Sequence, residues 1–359
     1  MDGNAVLGWF TGLGLVWREA PLGGGALYPF SNKATSVLEV LQAELDRWRV
    51  EQYCGVAVRR IVQDGQGFQL EIEGQDESCE HASLRAAAVV FAAGGGSEPL
   101  AACEKKRSDG GAGVLEEIEQ VPFSPVLGPI KTTTDLLDGL DGIRTKARLS
   151  IAGKRFSEEG EVLFRAYGLS GIVVFNASRF VDPGDTILLD LVPERSLERL
   201  EELLFERLRF QAQRNGRIPS AGELLQGFFL PELARALVCA SRKGHVSGHS
   251  DDGSVSDTDI NALARAIKAF PLEVKGIGDA KQCQVHRGGF SENAFDADTM
   301  EAFALPCLYL TGEAIDVDGP CGGYNLHWAW ASGLLAGLSV AQRLRSTPEF
   351  SSTGSPIGA

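Results

Sequence analysis

Two apolar runs that end in glycine, AAAVVFAAGGG at 86–96 and LPCLYLTG at 305–312, constrain the fold most tightly. Runs without polar alternation suit strands buried on both faces, as in a parallel sheet covered by helices. After Gly312 a loop bearing Asp316 and Asp318 runs into Gly319-Pro320-Cys321-Gly322-Gly323, and the spacing then predicts a long helix from about Tyr324. Glycines at such a junction let the backbone approach a ligand and aim free N–H groups at it. Within the helix, Ala329, Gly333, Gly337 and Ala341 fall at i, i+4 spacing. Each Gly costs the helix about 1 kcal/mol relative to Ala, so the stripe predicts unusually close packing on a sheet. Close packing would bring the positive helix end to the carboxyl edge of the strands, the usual ligand crevice of an α/β sheet. A tightly packed helix with no ligand satisfies the same pattern.

The rest of the chain alternates in texture. Residues 36–48 read as an amphipathic helix, with Val37, Leu41 and Leu45 on one face. Val56, Val58 and Ile61–Val62 mark one strand, and Phe68, Leu70 and Ile72 alternate along the next. From about 120 to 193 short β-rich pieces (147–151, 161–164, 171–175 and 186–191) suggest a small antiparallel sheet or barrel. Between 196 and 270 the pattern is helical: a Leu197, Leu200, Leu204, Leu208 stripe, a Ser220–Glu223 capping box, and an Ile260, Leu263, Ile267 stripe. The polar stretch 243–257 reads as a loop, and β-texture returns after Phe270. One α/β domain (1–119 and 294–345) interrupted by a β-barrel-like insert (120–195 and 270–293) and a helical insert (196–269) accounts for this order, with a disordered tail at 346–359.

A net charge of −14 argues against a nucleic-acid or anionic-membrane partner, since both require a basic face. The most apolar stretch, 326–341, is too short and too interrupted to span a bilayer. Seven cysteines without a Cys-x-x-Cys pair, and an N-terminus without a basic leader, place the chain in a reducing cytoplasm. His245 and His249 stand at i, i+4 spacing but in a Gly/Ser/Asp loop, so no metal site is assigned.

The segment TGEAIDVDGPCGGYNLHWAWASGLLAG at 311–337 resembles, almost letter for letter, the C-terminal FAD signature of the BaiN-like, aminoacetone-oxidase-like flavoprotein oxidoreductases. LYPFSNKATSVLEVL at 27–41, VVFAAGGGSEP at 89–99, GEVLFRAYGLSGIVVFNAS at 160–178, LLDLVPERSLERL at 188–200 and VHRGGFSENAFDADTME at 285–301 are similar to further family stretches in the same order. The resemblance implies an FAD/NAD(P)-binding Rossmann-like domain carrying the two inserts. It implies FAD as cofactor, with hydride exchanged through the flavin between NAD(P)H and a small organic substrate, and fixes no oligomeric state. Carried over by position, Gly312, Glu313 and Asp316 would face the pyrophosphate or ribityl chain. Gly322, Gly323, Tyr324, Asn325 and Leu326 would present backbone N–H groups to the flavin ring, favouring its reduced, more negative form. Val56 and Ala57 would contact adenine, and Gly94–Gly95 would border the diphosphate.

The departures bear on activity. No Gly-x-Gly-x-x-Gly occurs in the 359 residues, and the glycine runs at 23–25, 94–96 and 110–113 do not replace it. AACEKKRSDGGAG at 101–113 stands where the family carries Gly-Ser-Thr-Gly, with EKKR at 104–107 read as a solvated loop. Ile172 replaces a family Pro, and His286-Arg287 replace the more common Thr-Ala. The chain is therefore expected to be an N-terminally incomplete form that binds FAD weakly or not at all and dissolves poorly; a non-catalytic remnant is the alternative to the enzyme. No catalytic residue is assigned. His286 and Arg287 admit two readings: a cation beside the substrate that steadies an enolate or hydride acceptor, or an ordinary loop pair. Cys321 reads as a small buried residue rather than a redox thiol, and Trp328 and Trp330 as core or cofactor-flanking.

Overall fold

The computed structural model describes residues 1–20, 25–63, 67–74, 80–95, 103–106, 112–114, 119–242 and 255–346. The chain divides into two compact units, Met1–Ser124 with Val285–Ala359, and Pro125–Gln284. Among the described residues no helix is long and apolar enough to cross a membrane.

At the centre of the first unit the strands Val89–Phe91 and Leu308–Leu310 pair in parallel, with Leu308 opposite Val89 and Leu310 opposite Phe91. Leu308, Tyr309 and Leu310 are all buried, as an unalternating apolar run predicts. The run at 86–93 behaves differently. Ala86 ends the strand Glu80–Ala86 and pairs with Phe68 in a separate antiparallel ladder. Only 89–91 joins the parallel pair, and there Val90 is 41% exposed while Phe91 is buried. Successive strand side chains point to opposite faces, and only the Val89/Phe91 face meets the core of Phe68, Phe290, Met300 and Leu305.

The helix Tyr324–Ser346 closes this core through Ala336, Trp328, Leu335 and Val340. Its buried positions are Ala331, Ser332 and Ala336, not the glycine stripe. A Cβ built at Gly333 or Gly337 meets nothing within 4 Å, and Ala341 is exposed. Only Ala329 of the stripe makes a close approach, its Cβ lying 3.4 Å from the position a Gly312 Cβ would take. The other side of this helix packs on Val6 and Phe10 of the helix Gly3–Gly12, with the Trp330 ring edge-on to Phe10 at 4.8 Å. Val37 and Leu41 of the helix Ala34–Arg47 join them. Both tryptophans are half-buried and pack against these clusters.

A five-stranded sheet in the order Glu80–Ala86, Phe68–Gly74, Val56–Gln63, Cys103–Lys106, Ala112–Val114 completes the unit. Cys103–Lys106 runs parallel to Ile61–Gln63, so the backbone of 103–106 is a strand and not the expected loop; Arg107 lies outside the described residues.

The second unit is a closed antiparallel barrel of six strands. Their order is Ile130–Thr132, Gly168–Ser170, Ser157–Arg165, Arg144–Ile151, Thr186–Asp190, Phe270–Ile277. Closure leaves no free edge, and the barrel is filled by side chains, among them Leu149, Phe164, Leu169, Ile187 and Phe270 at 0% exposure. The stretch 171–175 is not a strand; Ile172–Ala177 forms a helix after Gly171 turns the chain at φ +113°. Val173, Val174 and Ala177 bury one helical face. For these β-branched residues burial outweighs propensity, which in strands is largely a packing preference.

Four helices cap the barrel: Leu197–Asn215, Ala221–Leu225, Pro231–Arg242 and Asp257–Lys268. Leu200, Leu204, Ile260, Leu263 and Ile267 are buried, as their periodicity predicts. The Ser220 hydroxyl accepts from Glu223 N at 3.3 Å while the Glu223 carboxylate accepts from Ser220 N at 2.8 Å, completing the expected capping box. A second box, Ser256 with Asp259, starts the last helix at Asp257, so the polar loop ends earlier than its composition suggests. Residues 243–254, including His245 and His249, lie outside the described residues, as does the tail after 346.

Candidate cofactor-binding site

Thr311 extends the parallel pairing past the strand ends, its N–H and hydroxyl both donating to Phe91 O at 3.1 and 3.0 Å. The chain then turns through the 3-10 segment Gly312–Ala314, with Gly312 at φ +59°. Gly312 N donates to Ser332 Oγ at 2.9 Å, and Trp328 Nε1 donates to Gly312 O at 3.0 Å. The turn is thus pinned to the long helix at the point where close approach was expected, though by a polar pair.

Strand Val285–Phe290, paired with Gln120–Val126, lies along the loop after Gly312 and takes up all three of its acids. Glu313 Oε1 accepts from His286 N and lies 3.1 Å from His286 Nδ1. Asp316 Oδ1 accepts from Gly288 N at 2.8 Å. Asp318 receives Arg287 in a fork, Nε to Oδ1 at 2.7 Å and Nη2 to Oδ2 at 3.1 Å. That carboxylate raises the Arg287 pKa above its ordinary value, against the opposing effect of partial burial. Gly288 and Gly289 are required here, since Cβ atoms would fall 2.4 Å from Pro122 O and 2.3 Å from Ala314 O. The polypeptide is squeezed between two backbones at this point.

Beyond Asp318 the loop is closed by one side chain. Asn325 accepts from Gly319 N at 2.8 Å and donates to Gly319 O at 3.0 Å. Gly322 and Gly323 follow at φ +121° and +93°, and the first helical bond is His327 N to Gly323 O at 2.9 Å. The N–H groups of Gly323, Tyr324, Asn325 and Leu326 therefore have no acceptor among the described residues, as expected of a helix start. Tyr324 is 59% exposed, and a Cβ at Gly323 or Gly94 meets nothing within 4 Å.

The candidates group unevenly. Gly95 and Glu313 meet directly: a Gly95 Cβ would lie 2.7 Å from Glu313 Oε1 and 2.9 Å from His286 Cβ. Gly312, which is buried, is tied to the long helix, Glu313 and Asp316 to the 285–290 strand, and the 322–326 turn to Gly319. Val56 and Ala57 lie in the five-stranded sheet, opposite Gly74 and Glu73. The fork between Arg287 and Asp318, and the Asn325 clasp, are absent from the sequence reading; acids at 313, 316 and 318 facing a His-Arg-Gly-Gly strand were their only visible trace.

These residues fit the ring end of a flavin. Orphan N–H donors at a helix start suit the partly negative N1–C2=O edge, and open glycines leave room for a flat ring. No described element supplies a glycine-rich diphosphate cradle of the Gly-x-Gly-x-x-Gly kind.

Comparison with known proteins identifies the family. The HI0933-like protein Rossmann domain profile matches residues 2–339. The 3-dehydro-bile acid delta(4,6)-reductase of Clostridium scindens is 32% identical over 352 residues, covering 94% of this chain and 80% of that protein. The ribosomal RNA dihydrouridine synthase of Escherichia coli is 27% identical over 329 residues, 89% of this chain and 74% of the relative. That of Haemophilus influenzae is 24% identical over 339 residues, 92% and 78% respectively. This chain belongs to the HI0933-like Rossmann-domain family, the flavoprotein family its sequence resembles.

Proposed function

We propose that the chain is an FAD-dependent oxidoreductase that saturates a carbon–carbon double bond conjugated to a carbonyl in a small organic molecule, with NAD(P)H as reductant. The family match across 2–339 carries this reading. The names of the relatives share one chemistry. A delta(4,6) double bond in a 3-dehydro steroid and the ring double bond lost in forming dihydrouridine are each conjugated to a carbonyl. A net charge of −14 favours a small molecule over RNA, whose binding depends on releasing counterions to a basic surface.

Bound and reduced, FAD supplies the hydride. The protein's part would be to hold and orient: the N–H groups of 323–326 would serve the electron-rich ring edge, the Asn325 clasp keeps that turn closed, and Gly94 leaves space at the strand end. The helix start would favour the negative charge that a reduced ring carries.

Purification with excess FAD tests the reading. The expected result is a yellow complex in excess FAD, bleached anaerobically by NADH or NADPH and recoloured by a steroid 4,6-dien-3-one. A chain that retains no flavin sustains a second reading, a non-catalytic relative, which the lack of Gly-x-Gly-x-x-Gly favours.

A further inference from the structure

His286 stands where strand Val285–Phe290 meets the carboxyl ends of the parallel strands, beside Gly95 and Glu313. Glu313 Oε1 accepts from its backbone N–H and lies 3.1 Å from its Nδ1. A carboxylate there fixes the tautomer: Nδ1 carries the donated proton, and Nε2 is left to exchange one. Among the described residues Nε2 makes no hydrogen bond, and the side chain is 34% exposed. The Phe123 ring meets the imidazole edge-on, with centroids 6.4 Å apart. The other charges on the facing segments are engaged, Arg287 with Asp318 and Asp316 with Gly288 N, which leaves Glu313 as the acid that addresses the ring.

We infer that His286 is the proton donor of the reduction, delivering its Nε2 proton to the carbon α to the substrate carbonyl, with Glu313 as its positioning residue. The inference rests on the conjugated-bond reading above. Bound and reduced, FAD would supply hydride to the β-carbon, and the π pair of the double bond would shift toward the carbonyl as an enolate. That pair then takes the proton from the imidazolium Nε2–H. The neutral ring keeps Nδ1–H on Glu313 and recovers its proton from solvent. Two electrons leave the flavin, and one hydride and one proton enter the substrate.

The test is anaerobic stopped-flow on the FAD-loaded full chain, comparing wild type with His286→Gln, His286→Asn and Glu313→Gln. Reduction by NAD(P)H and reoxidation by 2-cyclohexen-1-one and a steroid 4,6-dien-3-one are followed separately. Both His286 variants should reoxidise about 10²–10³-fold more slowly, the range of a lost general acid, with flavin reduction unchanged. Glu313→Gln should slow reoxidation less than the His286 variants do, again with flavin reduction unchanged. A readout independent of flavin comes from the ¹⁵N-histidine spectrum of the unloaded chain. His286 should show the Nδ1–H tautomer, and Glu313→Gln should weaken that preference. Reoxidation at the wild-type rate in folded His286 variants, or an Nε2–H tautomer, overturns the proton-donor role and leaves the proposed function standing. A wild-type flavin that neither enone reoxidises overturns the proposed function and this role with it.

Discussion

Gly95→Ala tests whether the strand end and the His286–Glu313 pair are one packed unit. Gly95 does not adopt a left-handed φ, so alanine brings no backbone strain and gains about 0.4–1 kcal/mol from a less flexible unfolded chain. Its methyl would lie 2.7 Å from Glu313 Oε1, 3.1 Å from Glu313 Cδ and 2.9 Å from His286 Cβ. Ordinary contact begins near 3.4 Å, so Glu313 must retreat by about 0.7 Å and release His286 N and Nδ1. Overpacking costs about 1–3 kcal/mol, and a lost hydrogen bond to a charged group about 1.5–3. A net loss of about 2 kcal/mol is expected. All five tryptophans (9, 17, 48, 328 and 330) belong to the first unit, so urea melts followed by tryptophan fluorescence report that unit alone. In a double-mutant cycle with Glu313→Ala, the Gly95→Ala penalty should shrink by about 1 kcal/mol or more, because the carboxylate it strikes is gone. A residual penalty should persist from His286 Cβ. Additivity within about 0.5 kcal/mol would refute the packing argument.

Three further outcomes are expected. The Arg217 guanidinium and the Ser220 cap hold the Glu223 carboxyl down to about 2 from 4.5. A depressed acid stabilises the fold above its unfolded pKa and loses that effect as pH falls through the folded one, so the melting-temperature gap between wild type and Glu223→Gln should close between about pH 4.5 and 2. A gap that stays constant from pH 6 to 2 would exclude the ion pair as its cause. Lys268 Nζ bonds Asp190 Oδ2 at 2.6 Å and Val192 O at 3.1 Å, with side chains only 18% and 11% exposed. Lys268→Ala should destabilise the barrel unit by about 3 kcal/mol in denaturant melts followed by circular dichroism, and Lys268→Met with Asp190→Asn should recover part of it. Asn325→Ala removes both bonds that close the 319–325 turn and should weaken FAD binding about tenfold by flavin-fluorescence titration, with melting temperature little changed.

What was legible in the sequence was local. Alternation marked Val56–Gln63 and Phe68–Gly74, and the Ser220–Glu223 spacing marked a cap whose two bonds are both formed. Those signals depend on residues within a turn or two of each other. The helix at 172–177 was missed because Val173 and Val174 speak for a strand until the barrel wall that buries them is in place. Likewise AAAVVFAA spells one strand but serves two sheets, because Phe68 and Leu308 claim its two ends from 18 and more than 200 positions away.

The glycines show the same division more sharply, and they bear on the site. Gly333 and Gly337 follow a helical rule and face open space, whereas Gly288, Gly289 and Gly95 follow no rule and are each pressed against a backbone or a carboxylate. What makes a glycine necessary is the atom across from it, and that atom is fixed by tertiary structure. The acids of 313–318 obey the same logic: as a spelling they look like ligands for a cofactor, yet each has a partner on the 285–290 strand. One trace of this was open to sequence reasoning. His286 and Arg287 depart from the Thr-Ala of the resembled family, while Glu313 and Asp318 stay in its motif. Two basic side chains that find two standing carboxylates, one through a closed fork and the other with its far nitrogen uncommitted, separate a structural pair from a chemical one. The closed fork of Arg287 can only hold; the imidazole of His286 can hold with one nitrogen and exchange a proton with the other.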